Sequence, residues 1–247
     1  SYVGVGWYTT SVILSESCYT FFTLVALLLV QRFIREKSIA WLVLAALAIG
    51  MSYLVRSVGI ALMLAAVVYF FSRKEYKPAL VLVFLALVFV VPWLYRTVII
   101  RQSELGRAYG DEFLISYLDT FLLKNWQRIT LGRANLADYA IRLLTNLRGH
   151  TTFTLLQLLF PTLTGERLVV FLRTVYPGWL PAVVGLGSVA LMMTGWIERL
   201  WKSRGMAEVY LFFYVLTILL PSWYTVRNLV PILPFLVYYL LAGVRWL

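Results

Sequence analysis

The sequence predicts an all-α, polytopic membrane protein with about seven transmembrane helices, and its composition and hydropathy support this prediction. Of the 247 residues, 62% are hydrophobic and 13% are charged, and the mean hydropathy is +0.83. Soluble domains are about half apolar and about a quarter charged. This difference argues against a soluble enzyme, a disordered chain and a nucleic-acid-binding protein. We therefore assign the net charge of +11 to membrane topology and to contact with anionic lipid.

Seven long uncharged runs predict the transmembrane helices. As helices of about 1.5 Å per residue they approach or exceed the roughly 30 Å hydrocarbon core of a bilayer. Because lipid offers the backbone no hydrogen-bond partner, such runs should be helical. Residues 1–96 hold the first four predicted helices, residues 97–173 form a long outer segment, and residues 174–247 hold the last three. The runs are residues 17–31, 39–55, 57–72, 78–95, 174–197, 209–226 and 228–244.

The basic residues predict which ends of these helices face the cytoplasm. Ten lysines and arginines lie in one set of connections, whereas the short connections on the opposite side carry only Arg56 and Arg227. Cytoplasmic loops carry the excess of basic residues in membrane proteins. The N-terminus, the turn at Arg56, the outer segment and the turn at Arg227 are therefore expected to face outward, in a multi-pass protein.

The spacing of apolar and polar residues in the outer segment predicts two amphipathic helices. One follows Asp111 and Glu112, which suit the start of a helix. The other has an apolar face from Leu136 to Leu147 and ends at Gly149, with its polar residues on the opposite face. Both are expected to lie on the outer membrane surface. Residues 151–163 are apolar but short, which indicates a re-entrant or interfacial segment. The polar face of the second helix comprises Asn135, Asp138, Arg142 and Asn146.

Four ionisable residues at the outer ends of apolar helices form the candidate binding site. Ionisable groups at membrane depth are costly and often functional, although end positions also allow a side chain to reach the interface. Arginine forks match the oxygens of phosphate, so three arginines and one carboxylate could hold a lipid-linked phosphate or pyrophosphate. We also expect Arg56 and Arg227 to lie close together. The four residues are Glu16, Arg56, Arg96 and Arg227.

Several other residues leave two interpretations open. Pro231 and Pro234 would distort the entry to the last helix, either as a simple kink or as the opening of a groove for a lipid tail. His150 could act as a general acid or base, or be an ordinary loop histidine. With a single Cys18 and a single histidine, the sequence predicts neither a disulfide framework nor a histidine-cluster metal site.

Five short motifs, in this order, resemble the C-terminal two-thirds of GT-C membrane glycosyltransferases, in the group of protein O-mannosyltransferases and aminoarabinose transferases. The last one looks like the R-Y-x-x-P-x-x-P entry to a late helix in that family, with Asn228 in place of the usual aromatic residue. The motifs are LSE at residues 14–16, AALAIG at 45–50, LVRSVG at 54–59, PWLYR at 92–96 and RNLVPILPF at 227–235.

This resemblance implies a hexosyl- or pentosyltransferase of the plasma (inner) membrane. It would move a sugar from a polyprenyl-phosphate donor to a lipid, glycan or protein acceptor on the outer face. Basic residues would stabilise the leaving phosphate, with or without a divalent metal. The family's catalytic carboxylate typically follows the first helix, so we expect it before Ser1, in a piece that this chain lacks. Asp111 and Glu112 could replace it or could cap a helix.

Two other functions remain open. An O-antigen ligase or polymerase would use its outer loop, and Arg142, Arg148 and His150 would then form the site. A lipid transporter or flippase would normally carry ionisable residues near the bilayer centre, and the middles of the seven runs carry no charge. This argues against ion-coupled transport and leaves a passive lipid scramblase open.

Overall fold

The computed structural model of the chain describes residues 2–102, 117–125, 128–151, 180–221 and 228–246. These residues are mainly helical, and their one isolated β-bridge joins Leu123 to Arg133. Three short 3₁₀ turns lie at Ser57–Gly59, Ile129–Leu131 and Val230–Ile232. The α-helices are α1 (Tyr2–Glu36), α2 (Ile39–Val55), α3 (Ile60–Ser72), α4 (Tyr76–Gln102), α5 (Tyr117–Leu122), α6 (Leu136–Gly149), α7 (Leu180–Lys202), α8 (Met206–Leu219) and α9 (Leu233–Trp246).

Small and aromatic side chains form the core of the helix bundle. Helix α1 packs against α2, α2 and α3 pack against α4, α3 packs against α8, and α7 packs against α9. Fully buried alanines of α2 and α3, including Ala45 and Ala61, let these backbones approach closely. Large apolar side chains such as Leu80 and Phe84 are 62% and 68% exposed on the outside of the bundle. An apolar exterior of this kind suits a lipid environment.

Three described helices are long and apolar enough to cross a membrane, which is fewer than the seven predicted. They lie at Leu14–Glu36, Tyr76–Arg96 and Val183–Lys202. The regular helices α2, α3, α8 and α9 have 13–17 residues, and the 3₁₀ turns at Ser57–Gly59 and Val230–Ile232 bound α2, α3 and α9. These helices are about 20–26 Å long, which is less than a typical hydrocarbon core. The shorter apolar helices include Ile39–Val55, Ser57–Ser72, Met206–Leu219 and Val230–Trp246.

Contacts between connections define two ends of the bundle. At one end, the Lys37 ammonium lies 2.7 Å from the Glu75 carboxylate, which joins the α1–α2 connection to the α3–α4 connection. These connections belong to the basic set that the sequence assigns to the cytoplasm. At the other end, Arg56 contacts Glu16 of α1 and Asn228, which precedes α9. The candidate site therefore lies at the end opposite the basic connections.

Helix α6 begins and ends where the sequence predicts, and two residues of its polar face, Arg142 and Asn146, are buried. Asn135 and Asp138 form a capping box at its start, and the backbone N–H of Asn135 lowers the pKa of Asp138. Arg142 and Asn146 point into the protein, whereas Leu136 is 87% exposed. The sequence predicted the two faces of this helix but not which of them packs against the rest of the protein. The carbonyl groups at the end of α8 need donors, and Arg142 and Asn146 supply them.

Other expected features differ in extent or lie outside the described residues. Helix α1 begins at Tyr2, so Glu16 lies within a continuous helix rather than at its start. Pro92 is accommodated inside α4. Of the first predicted amphipathic helix, the part from Tyr117 is helical, and Asp111 and Glu112 lie outside the described residues. Of the predicted re-entrant segment, residues 151–163, only Thr151 is among the described residues.

Candidate functional site

An ion pair between the buried Glu16 and the largely buried Arg56 is the centre of the candidate site. An Nη1 hydrogen of Arg56 is donated to Oε2 of Glu16, and the two side chains are only 14% and 5% exposed, respectively. Removing one member of such a pair leaves a buried charge and typically costs about 3–5 kcal/mol. Glu16 and Arg56 are 40 residues apart in sequence, so the packing of α1 on α2 brings them together.

The tight turn between α2 and α3 holds Arg56 at this end of the bundle. Arg56 has an extended backbone (φ −148°, ψ 130°) directly after α2, and its N–H is donated to the Ser52 carbonyl. The 3₁₀ turn follows at once. A Cβ atom at Gly59 would lie 2.6 Å from the backbone nitrogen of Tyr53, closer than real side chains come. The turn thus requires glycine at position 59. Because Arg56 is the single residue between α2 and the 3₁₀ turn, its backbone position is fixed by these two elements.

Asn228 is a second partner of Arg56. Its side-chain Oδ1 accepts a hydrogen bond of 3.2 Å from Nη2 of Arg56. Its main-chain carbonyl accepts a hydrogen bond of 2.6 Å from the Tyr214 hydroxyl. The hydrogen bond from Tyr214 therefore joins the start of the last helical region to α8. Asn228 binds the Arg56 guanidinium through Nη2, whereas Glu16 binds it through Nη1.

A layer of buried tyrosines accompanies the ion pair. Tyr19, one helical turn after Glu16, has its hydroxyl 3.1 Å from the Tyr210 hydroxyl. Tyr214 packs against both rings, with ring centroids 6.2 Å from Tyr19 and 5.6 Å from Tyr210. All three tyrosines are fully buried. Buried tyrosines usually find hydrogen-bond partners, and this layer joins α1 to α8 next to the helical turn that carries Glu16.

The structure does not group all four predicted site residues. Glu16 and Arg56 are in contact. Arg96 of α4 is exposed, and its guanidinium carbon lies 5.5 Å from the ring centroid of Trp93 in the same helix. Arg227 lies outside the described residues, although the next residue, Asn228, contacts Arg56.

An apolar cavity of about 350 Å³ lies between α6, α7, α8 and α9. Leu229, which follows Asn228, lines the cavity together with Ile232 from the 3₁₀ turn. Pro231 lies in that turn, so the proline-rich entry to α9 adjoins an apolar space. The cavity is thus connected in sequence, through Asn228 and Leu229, to the partner of Arg56.

The residues of the alternative, ligase-like site have different environments. Arg142 donates a 2.9 Å hydrogen bond to the Phe121 carbonyl and another to the Leu123 carbonyl. Arg148 is exposed. His150 is buried in the cavity wall, and burial lowers the pKa of its imidazole to about 4. Arg142 therefore holds backbone carbonyls, and His150 is neutral at pH 7.

Sequence reasoning missed Asn228 and the tyrosine layer. The signals were present: Asn228 is an uncharged polar residue at the entry to an apolar helix, and the tyrosines interrupt apolar runs. A hydroxyl or amide in such a run needs a hydrogen-bond partner. Glu16 and Arg56 were easier to find because charge stands out more sharply against an apolar run.

Metal binding has no evident ligand set in the described part of the chain. No three histidine, cysteine, aspartate or glutamate side chains come together there as they would around an ion. Glu16, the carboxylate of the candidate site, is already paired with Arg56. Compared with known proteins, the chain matches no family model, no curated protein and no solved structure.

Proposed function

We propose that the chain is a multi-pass membrane protein that binds a lipid-linked phosphate at Arg56 and takes part in glycosyl transfer at the outer face of the plasma (inner) membrane. Three helices long enough to span a bilayer, and four shorter apolar ones packed with them, support the multi-pass arrangement. Packing against longer helices and local thinning of the bilayer both accommodate short helices.

The single observation that carries the proposal is the largely buried Arg56, whose partner Asn228 is followed in sequence by Leu229, a residue that lines an apolar cavity. A guanidinium group is suited to phosphate because its fork matches two phosphate oxygens. The cavity is suited to a hydrocarbon chain, since mainly apolar side chains line it. Asn228 contacts Arg56 and Leu229 lines the cavity. A ligand with a phosphate head and a hydrocarbon tail would use both features at once.

Glycosyl transfer is the reaction that the sequence resemblance implies for such a ligand. In the proposed reaction a sugar leaves a polyprenyl phosphate and joins a lipid, glycan or protein acceptor. Negative charge grows on the leaving phosphate as the glycosidic bond breaks, and Arg56 would stabilise that charge. We assign no catalytic base among the described residues.

Turnover of a lipid-linked sugar tests this function. Membrane vesicles that carry the complete enzyme, with any segment that precedes Ser1, and that supply lipid, glycan and protein acceptors are given labelled polyprenyl-phosphate hexose or pentose, and release of polyprenyl phosphate is measured by mass spectrometry. We expect release with the wild type and loss of release in Arg56→Ala. Arg35→Ala, in the basic connection at the other end of α1, should retain turnover. Full release in Arg56→Ala, or no release from either donor by the wild type, would contradict the proposal.

The ligase-like function is a second candidate because His150 lines the cavity. A ligase also moves a lipid-linked glycan, and a neutral imidazole can accept a proton from an acceptor hydroxyl. His150→Ala separates the two functions. The ligase-like function requires loss of transfer in this variant, whereas the glycosyltransferase function centred on Arg56 requires that transfer persist.

A further inference from the structure

We infer that Glu16 occupies the anion position of Arg56 in the ligand-free protein, and that a phosphate monoester on a hydrocarbon chain must displace it. This inference rests on the proposed function, because it concerns the ligand of the same site. It assigns Glu16 a role as an internal competitor, which neither the sequence nor the proposed reaction requires.

The geometry of Arg56 is the first step. Its Nη1 is donated to Glu16 and its Nη2 to Asn228. Each of the two terminal nitrogens that would bind a phosphate therefore already donates one of its two N–H groups, and Glu16 occupies the position of an anion beside Nη1. Asn228 is neutral and can share a guanidinium with an incoming anion, whereas Glu16 brings a negative charge of its own.

The charge of the cluster is the second step. Arg56 and Glu16 together have no net charge, so the described pair gives an incoming phosphate no surplus positive charge. The Glu16 side chain is 5% exposed, so water screens it poorly. A phosphate bound to Arg56 beside that carboxylate would place two anions on one cation in a region of low dielectric constant. Displacement of Glu16 removes this repulsion.

The stability of the empty site is the third step. An arginine as buried as Arg56 needs a counter-ion, and Glu16 supplies one while no ligand is bound. Glu16 should therefore stabilise the ligand-free protein and weaken phosphate binding. A purely structural ion pair would instead favour binding, because it would keep the site folded. The two roles predict opposite effects of the same substitution on affinity.

Glu16→Gln provides the test, with the full chain in nanodiscs of zwitterionic lipid. Undecaprenyl phosphate is the probe, and undecaprenol and inorganic phosphate are added in separate arms. We expect the variant to have a lower ligand-free melting temperature than the wild type but to bind undecaprenyl phosphate roughly tenfold more tightly, since one like charge is removed. Inorganic phosphate should also bind more tightly to the variant, because it carries the negative charge that Glu16 repels, and undecaprenol should show no change.

Two further variants make the outcome decisive. Glu36→Gln removes an exposed carboxylate at the other end of α1 and should leave affinity unchanged. Glu16→Gln/Arg56→Gln removes both charges; it should recover stability and lose phosphate binding.

Equal or weaker binding by Glu16→Gln while the wild type binds the probe overturns this inference and leaves the proposed function standing. Tighter binding without any sugar turnover by the wild type supports the inference and overturns glycosyl transfer. Absence of binding by the wild type and by Glu16→Gln overturns both.

Discussion

At the scale of single residues, Arg56 combines a buried position with a forked pair of donors. Glu16 and Asn228 each accept a hydrogen bond from a different terminal nitrogen of its guanidinium group. A lysine ammonium is a point charge and cannot reach two separated acceptors in the same way. The shape of the side chain should therefore matter as well as its charge.

Substitution of Arg56 tests this difference. We expect Arg56→Lys to retain part of the undecaprenyl phosphate binding and Arg56→Ala to abolish it, because only the lysine keeps a positive charge. Arg227→Ala should also abolish binding, since we expect Arg227 to share the phosphate. Affinities measured in nanodiscs, with circular dichroism to verify folding, give the comparison. Full affinity in Arg56→Lys would contradict the need for a fork, and full affinity in Arg227→Ala would remove Arg227 from the site.

His150 makes stability depend on pH. Burial lowers the pKa of its imidazole to about 4, whereas an unfolded histidine has a pKa of about 6.5. Between these values the unfolded state binds more protons than the folded state, so the free energy of unfolding falls as pH decreases. The slope approaches about 1.4 kcal/mol per pH unit within that window.

The single histidine of the chain allows a clean measurement of that slope. The free energy of unfolding of the wild type in detergent should fall between pH 6.5 and pH 5. His150→Leu should lose most of that dependence, because leucine does not titrate. An equal slope in both proteins would show that His150 is not the group responsible.

The difference between Arg56 and Asn228 shows which site residues a sequence can reveal. Glu16 and Arg56 could be predicted because a charge at membrane depth is costly and therefore conspicuous. Asn228 was noted only as a departure from an expected aromatic residue. Its role depends on a contact with Arg56 across 172 residues of sequence, and no local pattern specifies such a contact.

At the scale of secondary structure, α6 shows the limit of amphipathic periodicity. The spacing of its leucines predicted a helix ending at Gly149, and α6 covers Leu136–Gly149. The same spacing did not indicate which face is buried. In water the apolar face turns inward, but beside lipid the polar face can be the buried one. Asn146 donates hydrogen bonds of 2.8 and 3.0 Å to the Leu219 and Pro221 carbonyls.

Helices α7 and α9 approach each other through glycines. A Cβ atom at Gly195 would overlap the carbonyl oxygen of Tyr239, and one at Gly243 would overlap the carbonyl oxygen of Leu191. Such contacts bring two backbones together in the way that small residues do between membrane helices. Both helices contribute to the wall of the apolar cavity, so their spacing also sets its width.

Gly195→Leu should separate these two helices. The added side chain meets backbone atoms, which cannot yield as a flexible side chain can, and overpacking of this kind costs about 1–3 kcal/mol or more. We expect a lower melting temperature in detergent. Gly187→Leu is the matched control in the same helix, because a Cβ atom there has no neighbour within 4 Å. Equal melting temperatures for the two variants would refute the close contact.

At the scale of the whole molecule, hydropathy predicted an all-helical apolar chain better than it predicted the length of each helix. The described residues are mainly helical, but α2, α3, α8 and α9 are shorter than a bilayer core requires. Hydropathy registers apolar composition along a run, and it does not register the 3₁₀ turn at Val230–Ile232 that delays the start of α9. The proline-containing 3₁₀ turn therefore makes α9 begin later than the apolar run of residues 228–244 predicted.

The Glu16–Arg56–Asn228 cluster should lie at the outer end of helices that cross a membrane. The basic connections at the opposite end, which include Lys74 and Lys202, should then face the cytoplasm. Single cysteines are introduced in a Cys18→Ser background and treated in intact cells with a membrane-impermeant maleimide. We predict labelling at Tyr109→Cys and Trp126→Cys, and labelling at Lys74→Cys and Lys202→Cys only after the cells are opened. Labelling of positions 74 and 202 in intact cells would contradict the account.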